Sequence, residues 1–163
     1  MTPTILVLNA GSSSIKFALY EAGTAHRLCR GGVSGIGCEA KVDVSGTETF
    51  FLDGAPPIPH ADHEGAVAWL IDALARAPHL TLRAAGHRVV HGGRDFAEPV
   101  RVDDAVLDGL NRLVPLAPAH QPHNLSAIRA VARAWPGLPQ VACFDTAFHR
   151  TQPRLAQLFP IPH

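Results

Sequence analysis

An excess of charge of either sign is missing: 14 Lys+Arg face 14 Asp+Glu, a formal net charge of +0 over 163 residues. That balance argues against a dedicated nucleic-acid binder, which carries a basic excess. The ten histidines tip it positive only in mild acid. Cysteine is scarce. Cys29, Cys38 and Cys143 cannot pair completely and form no C-x-x-C, which argues against a disulfide framework or zinc ribbon and fits a reducing cytoplasm. Each is expected to be a small buried apolar residue. No apolar run approaches the ~20 residues of a membrane span. The N-terminal stretch Ile5–Leu8 lacks a basic flank and is shorter than the ~7 residues of a minimal signal sequence. Internal repeats, low-complexity tracts and a G-x-x-x-x-G-K-[ST] phosphate loop are also absent. A soluble cytoplasmic protein is the expectation.

What is present is the composition of a folded domain, 47% hydrophobic and 17% charged. The length suits one compact domain that buries roughly two-thirds of its unfolded surface. The first half reads as strands and turns. Thr4–Leu8 is a buried strand running into a polar turn, and Ile15–Tyr20 alternates, with Ile15, Phe17 and Leu19 opposite Lys16. A turn at Glu21–Thr24 leads into a third strand through Arg30. Lys41–Val44 and Thr47–Phe51 read as a small hairpin, and Asp53–His60 as a proline-rich loop. From Asp62, an N-cap, Val67, Leu70, Ile71 and Leu74 form one helical stripe. Arg83–Val90 returns to strand. Asp103 or Asp104 caps a second helix with Val106, Leu107, Leu110, Leu113 and Val114 inward. After the rigid loop Pro115–Pro122, a third helix places Leu125, Ile128, Ala132 and Trp135 on one side. Gln140–Phe144 is a central strand. An antiparallel start followed by β-α-β units implies an α/β mixed sheet with helices on its faces.

Four polar clusters fall where strands end, the place where ligands collect in such sheets. In Asn9-Ala-Gly-Ser-Ser-Ser-Ile-Lys16, Gly11 permits a tight turn, and Ser12, Ser13 and Ser14 can donate to anionic oxygens. Lys16, one of two lysines beside twelve arginines, supplies a point charge. A plain polar turn with a solvated lysine is the alternative. In Gly86-His-Arg-Val-Val-His-Gly-Gly93, strand alternation puts Arg88 and Val90 on one face and His87, Val89 and His91 on the other. A guanidinium beside a small apolar side chain suits a short carboxylate with a small alkyl tail, and a surface ion-pairing arginine over a core valine is the alternative. His87 and His91 could begin a zinc site with His120, although no third ligand is near in sequence. His120, stiffened by prolines, suits either substrate orientation or a structural role. Asp145 ends an apolar strand and can hold a metal, position a nucleophile, take a proton or cap a turn.

Taken together, Val7-Leu-Asn-Ala-Gly-Ser-Ser-Ser-Ile-Lys-Phe17, Gly86-His-Arg-Val-Val-His-Gly-Gly93, Leu116-Ala-Pro-Ala-His-Gln-Pro122 and Phe144-Asp-Thr-Ala-Phe-His149 resemble the signatures of the acetate kinase family, in the family's order. The resemblance implies an actin-like ATPase (ribonuclease H-like) fold and the reaction acetate + ATP ⇌ acetyl phosphate + ADP. It implies that Asn9 is the magnesium-associated asparagine and Lys16 the nucleotide-phosphate lysine, with Ser12, Ser13 and Ser14 lining the phosphate turn. By the same resemblance Arg88 and Val90 bind the acyl substrate, His120 lies near the transferring phosphoryl, and Asp145 is the catalytic aspartate. The cofactor implied is Mg2+ with ATP or ADP; acetate or a similar short carboxylate and acetyl phosphate are the partners.

Ala119 stands where the family commonly has leucine, which keeps propionate in view, and Gln121, Arg150 and Gln152 also depart from frequent family residues. The family's remaining length, with its nucleotide-binding residues, does not follow His163. The expectation is therefore a single N-terminal domain over residues 1–163, with a small hairpin insertion around residues 36–60, inactive by itself. Apolar surface left bare by the absent C-terminal nucleotide domain makes self-association as a homodimer an expectation too. A non-catalytic acyl- or phosphate-binding module is the alternative function.

Overall fold

Two-residue alternation decides the first strands. β1 (Thr2–Ala10) buries Leu6, Leu8 and Ala10, and β2 (Ser14–Glu21) buries Ile15, Phe17 and Leu19 while Lys16 is exposed, as expected. A computed structural model describes residues 1–49, 58 and 62–158. β1 and β2 pair antiparallel with Asn9 opposite Lys16, and β3 (Arg27–Ser34) pairs antiparallel with β2. After α1 (His63–Ala75) come β5 (Leu80–Val89) and β6 (Val100–Arg101), then α2 (Asp104–Arg112), α3 (Gln121–Ala134) and β7 (Gln140–Phe144). With β4 (Lys41–Gly46), seven strands order β4-β3-β2-β1-β5-β7-β6, β5 running parallel to β1 and β7 parallel to β5. The α/β mixed sheet with an antiparallel start is thus the observed architecture.

Helix caps and stripes follow the sequence closely. The Asp62 side chain accepts from the Gly65 amide at 2.7 Å and Asp103 from the Val106 amide at 2.8 Å, each satisfying one orphan donor of a first turn. Val67, Leu70 and Leu74 are buried with Ala66, Trp69 and Ala73, a face wide enough to seat α1 on β1 and β2. In α3, Leu125 and Ile128 go inward as expected, but Val131 replaces Ala132, which is exposed. The stripe closes by an i, i+3 step because the helix continues over β1, where the larger valine fills more of the core.

Among the described residues, the three α-helices bury their apolar residues against the same sheet face, in one cluster that contains Leu6, Leu8, Ile15 and Phe17 and another that contains Val89, Ala142 and Phe144. The opposite face carries Val7, Asn9, Lys16, Arg88 and Cys143. Among the described residues it is open: Val7, on a central strand, is 38% exposed.

Several local expectations are corrected. Lys41–Gly46 does not fold back as a separate hairpin; it pairs with β3 and extends the main sheet, since an unpaired β3 edge leaves a row of amides without partners. Its expected second arm, Thr47–Phe51, runs into residues outside the described set, as do most of the Asp53–His60 loop and the far end of the 36–60 insertion. The Pro115–Pro122 loop is partly helical: Val114–Leu116 is a 3₁₀ turn and α3 starts at Gln121, with His120 at its N-cap.

The cysteines divide. Cys29 is buried, and burial pushes its thiol up to about 11. Cys38 and Cys143 are exposed rather than buried, because Cys143 projects from the open face beside Arg88. An Ellman titration of native protein is therefore expected to count two thiols, the third appearing only in denaturant; three reactive thiols in the folded state would contradict this burial.

Candidate functional site

The strand register lines up one row of side chains across the open face. Cys143 of β7 pairs with Arg88 of β5, Asn9 of β1 with Lys16 of β2, Lys16 with Gly32 of β3, and Gly32 with Asp43 of β4. Leu8 opposite His87 brings the next residues, Asn9 and Arg88, alongside each other. Six strands at ~4.8 Å spacing make this row roughly 24 Å long.

Arg88 is its centre. Its Nε donates to Asp145 Oδ1 at 2.9 Å, its Nη2 to Asp145 Oδ2, and its Nη1 to Asn9 Oδ1 at 3.0 Å. Asp145 reaches it because β7 ends at Phe144 and the chain turns into a 3₁₀ helix, Asp145–Thr151, at that point. A guanidinium has five N–H donors, so three fixed contacts leave, among the described residues, two free in a known plane. Arg88 and Asp145 are each 41% exposed, accessible to a solute while held in place. The surface ion-pair alternative is half right: there is an ion pair, and it points into a cluster.

Other expected site residues are placed less directly. Ser12 and Ser13 are exposed in the turn between β1 and β2, closed by the Gly11 amide donating to Ser14 O at 2.9 Å; with Lys16 they line the same end of the sheet. β5 stops at Val89, so strand alternation does not by itself put Val90 beside Arg88. Val90 is half-buried just past the strand, and its amide donates to Asn124 Oδ1 at 3.0 Å. His120 is exposed at the α3 N-cap and makes no side-chain cap bond. Among the zinc-reading histidines, His87 faces the helical layer and bonds Gln140 Oε1 through Nε2 at 2.7 Å, whereas His91 Nδ1 accepts from the Gly93 amide at 2.8 Å.

Three contributors escaped the sequence reading. Asn124, buried on α3, donates through Nδ2 to Ala10 O at 2.6 Å and accepts from Val90, tying together the ends of β1 and β5. His63, at the start of α1, bonds the Gly11 carbonyl through Nε2, and its ring stacks on His123 with centroids 4.4 Å apart. His123 titrates below the usual histidine range, first because of partial burial and then because His63 and His120 are close. A signal for Asn124 was available: Gln121 and Asn124 occupy the apolar stripe of α3 with Leu125 and Ile128, and a polar residue on a buried stripe needs a specific partner.

Burial pushes His87 down to about 4, partly offset by its bond to Gln140. The unfolded chain takes its proton near 6.5 and the folded one only near 4, so the stability contribution is complete above pH 6.5 and is lost as pH falls from there toward 4. The loss is at most about 3 kcal/mol. Urea midpoints at pH 7 and pH 4.5 should therefore differ by more in the parent protein than in His87→Gln; equal differences would remove His87 from the acid response.

Magnesium asks for hard oxygen donors. Asn9 Oδ1 and the Asp145 carboxylate are such donors and converge on one guanidinium. Among the described residues no three His, Cys, Asp or Glu gather to hold a metal ion, so these two oxygen donors are what the cluster offers one.

The mixed sheet with its antiparallel start and β-α-β continuation is that of an α/β domain of the actin-like ATPase fold. The chain matches the Acetokinase family over residues 4–163 and belongs to it. Acetate kinase of Rhodopseudomonas palustris (strain ATCC BAA-98 / CGA009) is 45% identical over 99% of this chain and 42% of that protein. Acetate kinase of Thermotoga maritima is 41% identical over 98% of this chain and 40% of that protein. Among solved structures, a propionate kinase from Francisella tularensis superposes with a TM-score of 0.81 at 36% identity, over 100% of this chain and 42% of that one. The chain thus spans about two-fifths of the length of the relatives it matches.

Proposed function

We propose that residues 1–163 form one domain carrying the acyl half of a cytoplasmic acyl kinase, which moves the γ-phosphoryl of ATP to acetate and yields acetyl phosphate and ADP. The observation that carries the reading is the Arg88 guanidinium, held by Asp145 and Asn9 with two donors unspent. Those donors can grip a carboxylate, or in the transition state an equatorial phosphoryl oxygen, where the charge of two meeting anions must be offset. Acetate is already ionised at neutral pH, so no base is needed to make the nucleophile. Asp145 then acts by fixing the arginine's plane, which sets the line of attack. Val90 walls the alkyl group and His120 approaches the phosphoryl from the α3 N-cap. Lys16, Ser12, Ser13 and Ser14 hold the nucleotide's phosphates. Asn9 and Asp145 would hold magnesium, which when bound neutralises phosphate charge.

Propionate fits the same arrangement, since one methylene separates acids by only ~1–3 kcal/mol. The test has two parts. Calorimetry on this chain should show acetyl phosphate binding that depends on Arg88. A chimera in which residues 1–163 replace the matched 42% of the Rhodopseudomonas palustris acetate kinase should make hydroxamate-detectable acetyl phosphate. Binding without turnover by the chimera would favour the non-catalytic module.

A further inference from the structure

Beyond Lys16 the polar row enters a groove of about 430 Å³, bordered by Lys16, Arg30, Ser14, Ser34 and Asp43 and floored by Gly31 and Gly32. It is open because Gly32, directly opposite Lys16, has no side chain. A Cβ there would lie 3.1 Å from Ile15 O and 3.7 Å from Lys16 Cγ, inside the space beside the lysine.

Arg30 stands two residues before Gly32 on β3, opposite Ala18, and is therefore the diagonal neighbour of Lys16, with Cβ atoms somewhat less than ~7–8 Å apart. Both side chains are exposed, and among the described residues neither has an ion-pair partner. Two long cations at that separation, leaning over bare backbone, can each take one of two linked phosphoryl groups, whereas a single phosphate must share both cations at one point and carries less charge for them to offset. Asp43, opposite Gly32 on the far side, closes the groove to further negative charge. Lys16 and Arg30 against Asp43 leave a net positive groove.

We propose that this groove is a diphosphate subsite, Lys16 and Arg30 each holding one of two linked phosphoryl groups. It rests on the acyl-kinase reading only in giving Lys16 to phosphate, and it adds Arg30 and the bare strand at Gly32. The Arg88 cluster then receives the reacting end of a ligand whose remaining phosphates lie along the row toward β4.

The test is calorimetry on this chain, metal-free and at low salt, where screening of exposed charge is least. Inorganic pyrophosphate should bind at least about tenfold tighter than orthophosphate, a difference of ~1.4 kcal/mol. Arg30→Ala should abolish that preference while circular dichroism stays unchanged, and Arg30→Lys should keep most of it. Asp43→Asn should tighten pyrophosphate by a few fold, as expected when a like charge is removed. The Gly32 amide resonance should shift on pyrophosphate addition, a readout independent of any variant. ADP showing the same Arg30 dependence assigns the subsite to a nucleotide tail; dependence confined to pyrophosphate assigns it to the free anion. No preference for pyrophosphate, or a preference untouched by Arg30→Ala, overturns the proposal. Acetyl phosphate binding lost with Arg88→Ala survives that failure, so the two readings fall separately.

Discussion

Arg88→Ala in the chimeric kinase is expected to lower acetyl phosphate formation by about 10³-fold or more, equivalent to ~4 kcal/mol of transition-state stabilisation. The side chain supplies the unspent donors and the positive charge that two approaching anions require. Its removal also strands the Asp145 carboxylate, which then faces the substrate as a like charge. Arg88→Lys keeps the charge but not the planar fork, so it should recover only part of the rate. Folding stability is a different matter. The ion pair is 41% exposed on both sides, and such pairs contribute within about 1 kcal/mol. A large loss of turnover with a nearly unchanged urea midpoint is the signature of a reactive arginine; turnover within tenfold of the parent would sink the assignment.

Asn124→Ala should do the reverse first, destabilising the fold by about 3 kcal/mol. Its amide satisfies the Ala10 carbonyl at 2.6 Å and the Val90 amide at 3.0 Å, and it is 2% exposed. Alanine leaves the buried Ala10 carbonyl and the part-buried Val90 amide without these partners, which costs more than the bonds themselves contribute. For a chain of this size the melting temperature should fall by roughly 6–12 °C. Because Ala10 leads into the Gly11–Ser14 turn and Val90 lies two residues past Arg88, the ligand binding proposed for this end of the sheet should weaken as well. Asn111→Ala is the control: its carbonyl accepts one exposed bond from Arg129 at 3.4 Å, and its loss should change stability by less than about 0.5 kcal/mol. Equal effects for the two asparagines would remove Asn124 from the frame of the site.

Much of the framework was legible because local chemistry and tertiary need coincide. Ile15, Phe17 and Leu19 alternate with Lys16 since one face of β2 meets helices and the other does not. Asp62 and Asp103 cap because a carboxylate is the nearest acceptor for the amides of a first turn. Reading failed where a residue's environment is made by distant segments. Ala132 lost its place to Val131 through the course of α3 over β1. Cys143 is exposed because no described helix covers the face it shares with Arg88. His120 reads as a loop residue until α3 is seen to begin one position later.

The division is clearest at the site itself. Composition and alternation determine an α/β domain, because backbone periodicity and residue type act within a few positions; four short motifs carry the resemblance to the acetokinase family that marks Asn9, Lys16, Arg88 and Asp145 for chemistry. That Arg88 meets Asp145, 57 residues on, and Asn9, 79 residues back, was decided by β1, β5 and β7 lying side by side in parallel. The rest of the row, out to the groove over Gly32, was decided by the antiparallel pairing of β2, β3 and β4 beyond β1. Such pairings are set by the packing of the whole sheet against its helices, and no window of sequence contains them.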